Sequence, residues 1–252
     1  MNKNVKLIKT SGVVIKEVQY SDNDKILTIL TDNLGLVTAM AKGAKKNNSS
    51  LLASCQYLVY SEFVLFKGTN FYHINSADPI NTFYKLRTNF DKMTEIFELT
   101  KLVNRFTEEN METSDILKVF LNTLHVIMTT DKQYITSIFL IRLFTLLGFT
   151  PDVLRCNFCH KDFSELKELN GNCVWYNYSN NYFICETCKS DELSGKINTN
   201  VCFKITFKTF MNIRYIMYGD YKKIFSIVVD EKMVRELNKF SQYLVGCITT
   251  NL

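Results

Sequence analysis

Ile26-Leu27-Thr28-Ile29-Leu30-Thr31-Asp32-Asn33-Leu34-Gly35-Leu36-Val37-Thr38-Ala39-Met40-Ala41 is the stretch on which the fold turns. Ile26–Leu30 is rich in β-branched residues, and Leu36–Ala41 gives a second strand. Asp32–Gly35 between them is a hairpin-type loop with glycine available for a positive φ. Upstream, Val13-Val14-Ile15 follows Gly12 and reads as a further strand. Downstream, Tyr57–Phe66 and Phe71–Ile74 make another hairpin across Lys67-Gly68-Thr69-Asn70. Five strands with basic loops predict a small Greek-key barrel of the oligonucleotide-binding (OB) kind over residues 1–80. A generic five-stranded barrel fits the same strands.

Beyond Asp78-Pro79, read as a joint, the hydrophobic period changes from two to about 3.6. Phe83, Leu86, Phe90, Met93, Phe97, Leu102 and Phe106 fall on one helical stripe. Ser114 is placed to cap a helix carrying Leu117, Phe120, Leu121, Leu124 and Met128. Asp131 can cap another over 132–147, apolar nearly all round and therefore buried, with Gly148 and Pro151 as its stop. Ile205–Tyr218 and Lys232–Val245 read as two further helices. The expected class is α+β: the barrel, then a helical domain over residues 81–252 with a metal-binding insertion at about 154–192.

Cys156-Asn157-Phe158-Cys159 and Cys185-Glu186-Thr187-Cys188 are two C-x₂-C knuckles 25 residues apart. Each tight turn offers two sulfurs to one ion, and two such turns complete a tetrahedron, most simply around structural zinc. Iron, redox-active thiols or merely buried thiols are the alternatives. Four thiolates leave no open coordination position, which argues against catalysis. His160 and Cys173 lie near enough to compete as ligands, whereas Cys55, Cys202 and Cys247 sit in apolar patterns and read as core.

The 252-residue chain carries a net charge of +5, concentrated at its start, where residues 1–50 hold eight lysines and four acids. Such a module suits a polyanion. No apolar stretch follows Lys3, Lys6 and Lys9, so the sequence predicts no secretory signal and reduced thiols. The longest apolar run, Ile138–Phe149, is interrupted by Arg142 and is too short to span a bilayer, so a soluble chain is expected. There is no phosphate loop, G-x-G-x-x-G, H-E-x-x-H or carboxylate cluster for two metals. His73, His125 and His160 are scattered, and Asp22 and Asp24 read as loop residues. A binding protein, not an enzyme, is the expectation.

Two stretches, with the cysteines, resemble the RecO family of bacterial DNA recombination and repair mediators. Tyr20-Ser21-Asp22-Asn23-Asp24-Lys25-Ile26-Leu27 running through Leu34-Gly35-Leu36 into Ala41-Lys42-Gly43-Ala44-Lys45-Lys46 is similar to the family's N-terminal pattern. Arg142–Phe149, leading through Pro151 and Leu154 into the first knuckle, resembles its buried helix before the zinc ligands. Where the family commonly has Gly-Gly before the second knuckle, this chain has Asn180-Asn181, and asparagine tolerates a left-handed backbone.

The resemblance implies a cytoplasmic, nucleoid-associated mediator that binds single- and double-stranded DNA and promotes annealing. It also implies partnership with RecR, contact with the single-stranded DNA-binding protein (SSB), and help for RecA in loading onto SSB-covered strands. For the DNA contact the chain offers Lys42, Lys45 and Lys46 around Gly43, with Lys25 and a stacking face on Tyr20. Lys85 and Arg87 extend the patch, and Arg142 reads as a paired structural residue. The rival class is a zinc-ribbon scaffold that binds only protein. A zinc enzyme with water as fourth ligand fits less well, because the cysteines already supply all four positions.

Overall fold

The computed structural model describes residues 6–165, 173–190 and 199–250. Lys3 and positions 166–172 and 191–192 of the expected metal insertion lie outside the described residues. The chain divides into two compact units, Met1–Asp131 and Lys132–Leu252.

In the first unit, β1 (Leu7–Gln19), β2 (Lys25–Thr31), β3 (Leu36–Ala41), β4 (Tyr60–Lys67) and β5 (Tyr72–Asn81) form a closed barrel in the order β1-β2-β3-β5-β4. The long β1 pairs antiparallel with both β2 and β4, with a bulge between Val14 and Lys16. Parallel pairing of Ala39 with Tyr72 and Met40 with His73 closes the ring. This is the OB-like architecture that the hairpin reading predicts. Alternation along the strands fills the interior with Val14, Leu27, Ile29, Val37, Phe63 and Leu65, all fully buried. Closure removes the free sheet edges at which a small barrel would otherwise pair with other chains.

Asp78-Pro79 does not end the strand as expected, because β5 runs on to Asn81. Pro79 lies opposite Ser61 beside a register shift, a position where a missing N–H is tolerated. The expected single helix after it is two: α1 (Tyr84–Arg87) and α2 (Phe90–Phe106), the latter capped by Asn89 accepting from the Lys92 amide at 3.0 Å. The break shifts the phase of the stripe. Phe90 and Phe97 are exposed, and the buried face of α2 is Ile96, Leu99, Thr100 and Val103. α3 (Ser114–Thr129) buries Leu117, Phe120 and Leu124 as expected, but its cap position is Thr113. The Thr113 hydroxyl donates to the Thr31 carbonyl and the Ser114 hydroxyl to Asp32, each at 2.7 Å.

In the second unit, α4 (Ile135–Leu146) starts later than expected, and Asp131 instead pairs with Lys92 at 2.8 Å. Its end follows the sequence. Gly148 has φ +79°, and the amides of Gly148 and Phe149 return to the carbonyls of Thr145 and Phe144 at 3.0 and 2.8 Å. This is a Schellman stop, with Phe149 packed edge-on against Phe144. Where one helix was expected from Ile205, β8 (Cys202–Thr206) precedes α6 (Phe207–Tyr218). That strand joins β6 (Cys173–Asn177) and β7 (Tyr182–Cys185) in a sheet ordered β7-β6-β8 that the sequence reading missed. α5 (Glu186–Ser190) follows β7, and α7 (Glu231–Thr250) ends the described chain. The core here is aromatic, with Tyr176, Phe183, Phe210 and Phe240 in mutual ring contact. Arg142 is paired as expected: its guanidinium donates to the Ile216 and Met217 carbonyls at the end of α6, where a cation offsets the helix dipole. Among the described residues no helix is long and apolar enough to cross a membrane.

Candidate metal centre and nucleic-acid interface

The first knuckle is built as a miniature hairpin. Arg155 and Asp162 form a bridge, the Cys156 amide donates to the Lys161 carbonyl, and the chain reverses through His160 at φ +58°. The Asn157 amide donates to the Phe183 carbonyl at 3.0 Å, tying this turn to β7, which ends in Cys185. Cys188 follows one turn on in α5, its amide 3.4 Å from the Cys185 sulfur.

The Sγ atoms of Cys156, Cys159, Cys185 and Cys188 thereby lie within 4.8 Å of one another, with Cys159 and Cys185 at 3.8 Å. Bonds of about 2.3 Å to one tetrahedral ion require sulfurs roughly 3.8 Å apart, so this donor set fits a metal ion. Burial works against a thiolate at Cys156, yet hydrogen bonds from the backbone amides of Cys159, Cys185 and Phe158 hold its pKa below the usual thiol value. Burial raises Cys185 and Cys188, where crowding by the neighbouring sulfurs adds to the effect. A cation shared by four sulfurs this close would relieve that crowding.

The two possible competitors stand outside the cluster. Cys173 donates to the Glu186 carboxylate at 2.7 Å, and His160 serves the turn through its backbone. Of the three cysteines expected in the core, only Cys55 is buried; Cys202 and Cys247 are half-buried. Burial pushes the Cys55 thiol up to about 11.

On the barrel, the turn after β3 is clamped to the turn before β2. The Asp24 carboxylate accepts the Gly43 amide at 2.7 Å, and the Lys45 amide donates to the Asn23 carbonyl at 3.0 Å. Gly43 sits at φ +70°, and an added Cβ would meet only the Lys46 side chain, in ordinary contact at 3.8 Å, so its requirement is conformational. The clamp presents Lys42 and Lys46 exposed and Lys45 half-buried, and among the described residues none of the three closes an ion pair. The Gly43 hydrogen bond, then that to Ser21, then the charges of Lys42 and Lys46 hold the Asp24 carboxyl below its ordinary value. Asp24, read from the sequence as a loop residue, is the organiser of this turn. Its signal was the Asp24/Gly43 pairing of two neighbouring loops, which spacing along the chain does not display.

The other expected contacts lie on the same unit in different states. Tyr20 is 59% exposed beyond the end of β1. Lys25 is engaged with Glu17 at 3.0 Å, and its ammonium also reaches the Cys55 carbonyl at 3.5 Å. Lys85 is exposed, and Arg87 is half-buried and donates to Gln56.

Residues 4–83 match the family described as "Recombination protein O N terminal", and residues 87–247 match "Recombination protein O C terminal". The chain is similar to the DNA repair protein RecO of Acetivibrio thermocellus, 35% identical over 93% of this chain and 89% of that one. It is also similar to the DNA repair protein RecO of Caldicellulosiruptor saccharolyticus, 33% identical over 80% of each chain. The protein of that name from Alkaliphilus metalliredigens is 30% identical over 95% of this chain and 93% of its own.

Proposed function

This chain belongs to the recombination protein O (RecO) family, and on that premise we propose that it is a DNA repair and recombination mediator. In this reading it binds single- and double-stranded DNA and promotes annealing of complementary strands. With RecR it helps RecA load onto DNA covered by SSB, acting in the cytoplasm at the nucleoid and catalysing no reaction of its own. Residues 1–80 are the DNA-binding domain, and residues 81–252 the helical domain with the zinc module.

The observation that carries the reading is the clamped turn of Lys42, Lys45 and Lys46 on an OB-like barrel. Its lysine side chains, exposed at Lys42 and Lys46 and closing no ion pair among the described residues, are suited to phosphates and indifferent to sequence. Annealing needs this kind of contact, since two strands must be gathered without their base edges being occupied. Tyr20 adds a stacking face, and Lys25, Lys85 and Arg87 complete the positive field. Zinc held by Cys156, Cys159, Cys185 and Cys188 would supply folding energy to the module and no chemistry.

The test is annealing of complementary single strands, bare and SSB-covered, at low salt without nucleotide. Acceleration by the protein, on covered strands further increased by RecR, is the expected result. Binding to neither form of DNA, together with no acceleration, would overturn the reading in favour of the protein-only scaffold.

A further inference from the structure

Residues 80–90 carry three large apolar side chains in the open: Ile80 is 57% exposed, Tyr84 65% and Phe90 84%. Single exposed apolar residues are ordinary, but aromatic rings displayed together beside cations are the apparatus by which unpaired bases are held. The fold goes to some length to display them. Phe83, a bulky residue, adopts the left-handed conformation at φ 44° and ψ 35° while its ring is buried. Such a conformation costs on the order of 1–3 kcal/mol and persists only where surroundings enforce it. Here burial of the ring and the Phe83 amide's bond to Asn81 at 3.0 Å enforce it, and the reversal puts Tyr84 on the outside. Asn89 then starts α2 afresh, which leaves Phe90 off the buried face.

The surrounding charge favours a polyanion. From Phe83 to Phe90 the chain has Lys85 and Arg87 and no acid, while Lys92 just beyond is paired with Asp131. The Arg87 guanidinium lies over the Tyr84 ring at 5.8 Å and is anchored by Gln56, whose neighbour Cys55 receives the Lys25 ammonium at its carbonyl. Lys25 in turn directly follows Asp24, which holds the Lys42–Lys46 turn. A run of contacts and chain neighbours within one unit thus joins the lysine turn to the Tyr84 ring, with Phe90 six residues further along the chain.

We propose that Tyr84 and Phe90 are a base-stacking site for single-stranded nucleic acid, continuous with the lysine turn and selective for unpaired over paired bases. The proposal rests on the DNA-binding reading above and deepens it. Phosphate contacts at the turn would hold either form of DNA, whereas a ring can take only a base that is not already stacked inside a duplex. A strand held with bases splayed on these rings keeps its Watson–Crick edges open for a complementary strand.

The test compares wild-type protein with the Tyr84→Ala, Phe90→Ala double variant, using a single strand carrying the fluorescent base 2-aminopurine and a duplex of the same length. Both side chains are exposed, so the variant should melt like wild type. Its single-strand affinity should fall by about 5-fold to 160-fold per ring lost. The 2-aminopurine signal change on binding should shrink, while duplex affinity and the salt slope stay unchanged. Tyr84→Phe with Phe90→Tyr should restore single-strand binding. Equal loss on duplex and single strand, or no loss on either, would overturn the stacking site while leaving the DNA-binding reading intact. Wild-type protein that binds neither DNA at low salt would remove both.

Discussion

Asp24 shows how much one carboxylate decides. Its hydrogen bond to the Gly43 amide fixes the turn carrying Lys42, Lys45 and Lys46, and the same bond keeps it ionised to lower pH than an ordinary aspartate. A carboxyl whose folded pKa is depressed stabilises the native state above its unfolded value, roughly 3.9, and loses that contribution as pH falls through the folded one. Asp24→Ala should therefore flatten the acid limb of the stability profile below about pH 4. Amide hydrogen exchange at Gly43 should become faster. An acid limb identical to wild type, with an unchanged Gly43 amide, would show that the clamp is absent in solution. Asn181 makes a parallel case at φ +54°, accepting from Tyr176 and donating to the Phe149 carbonyl, each at 2.7 Å. Asparagine here holds the left-handed backbone that the sequence reading allowed it, and adds two hydrogen bonds.

At the scale of elements, the metal centre rests on a hairpin turn and on the end of β7, so the ion and the sheet β7-β6-β8 should stand or fall together. The double variant Cys156→Ala, Cys185→Ala should lower metal from about one per chain to near zero and lower thermal stability with it, because structural binding energy is folding energy. Cys173→Ala, whose thiol bonds Glu186 outside the cluster, should keep its metal. Stoichiometric metal in the double variant, or its loss from Cys173→Ala, would contradict the assignment. The knuckles, the β2–β3 hairpin and the Gly148 stop were legible in the sequence because each is specified by residues close together in the chain. β6, β7 and β8 were not. Cys202–Thr206 shows only two inward residues, Phe203 and Ile205, before the helical pattern of α6 takes over, and its partner strand lies some thirty residues upstream. The stripe through Phe90 and Phe97 misled for a related reason, since the Asn89 cap restarts the helix and two short stripes of different phase read as one long one.

Across the whole molecule, the strongest local excess of positive charge is in residues 1–50, which supply β1, β2, β3 and the turn after them and hold eight lysines against four acids. The central claim is that this barrel holds DNA through phosphate contacts at the Lys42–Lys46 turn. Neutralising a phosphate releases counterions, so log affinity should fall with log salt by roughly 0.7 per contact on a single strand. The most direct measurement is a titration of a fluorescent single strand at several salt concentrations, with wild type and the Lys42→Ala, Lys45→Ala, Lys46→Ala variant side by side. The variant should retain its metal and melting temperature, bind every sequence more weakly by a similar factor, and lose up to about 2 from the salt slope. A folded triple variant with wild-type affinity and wild-type slope would contradict the account and move the DNA contact off this turn.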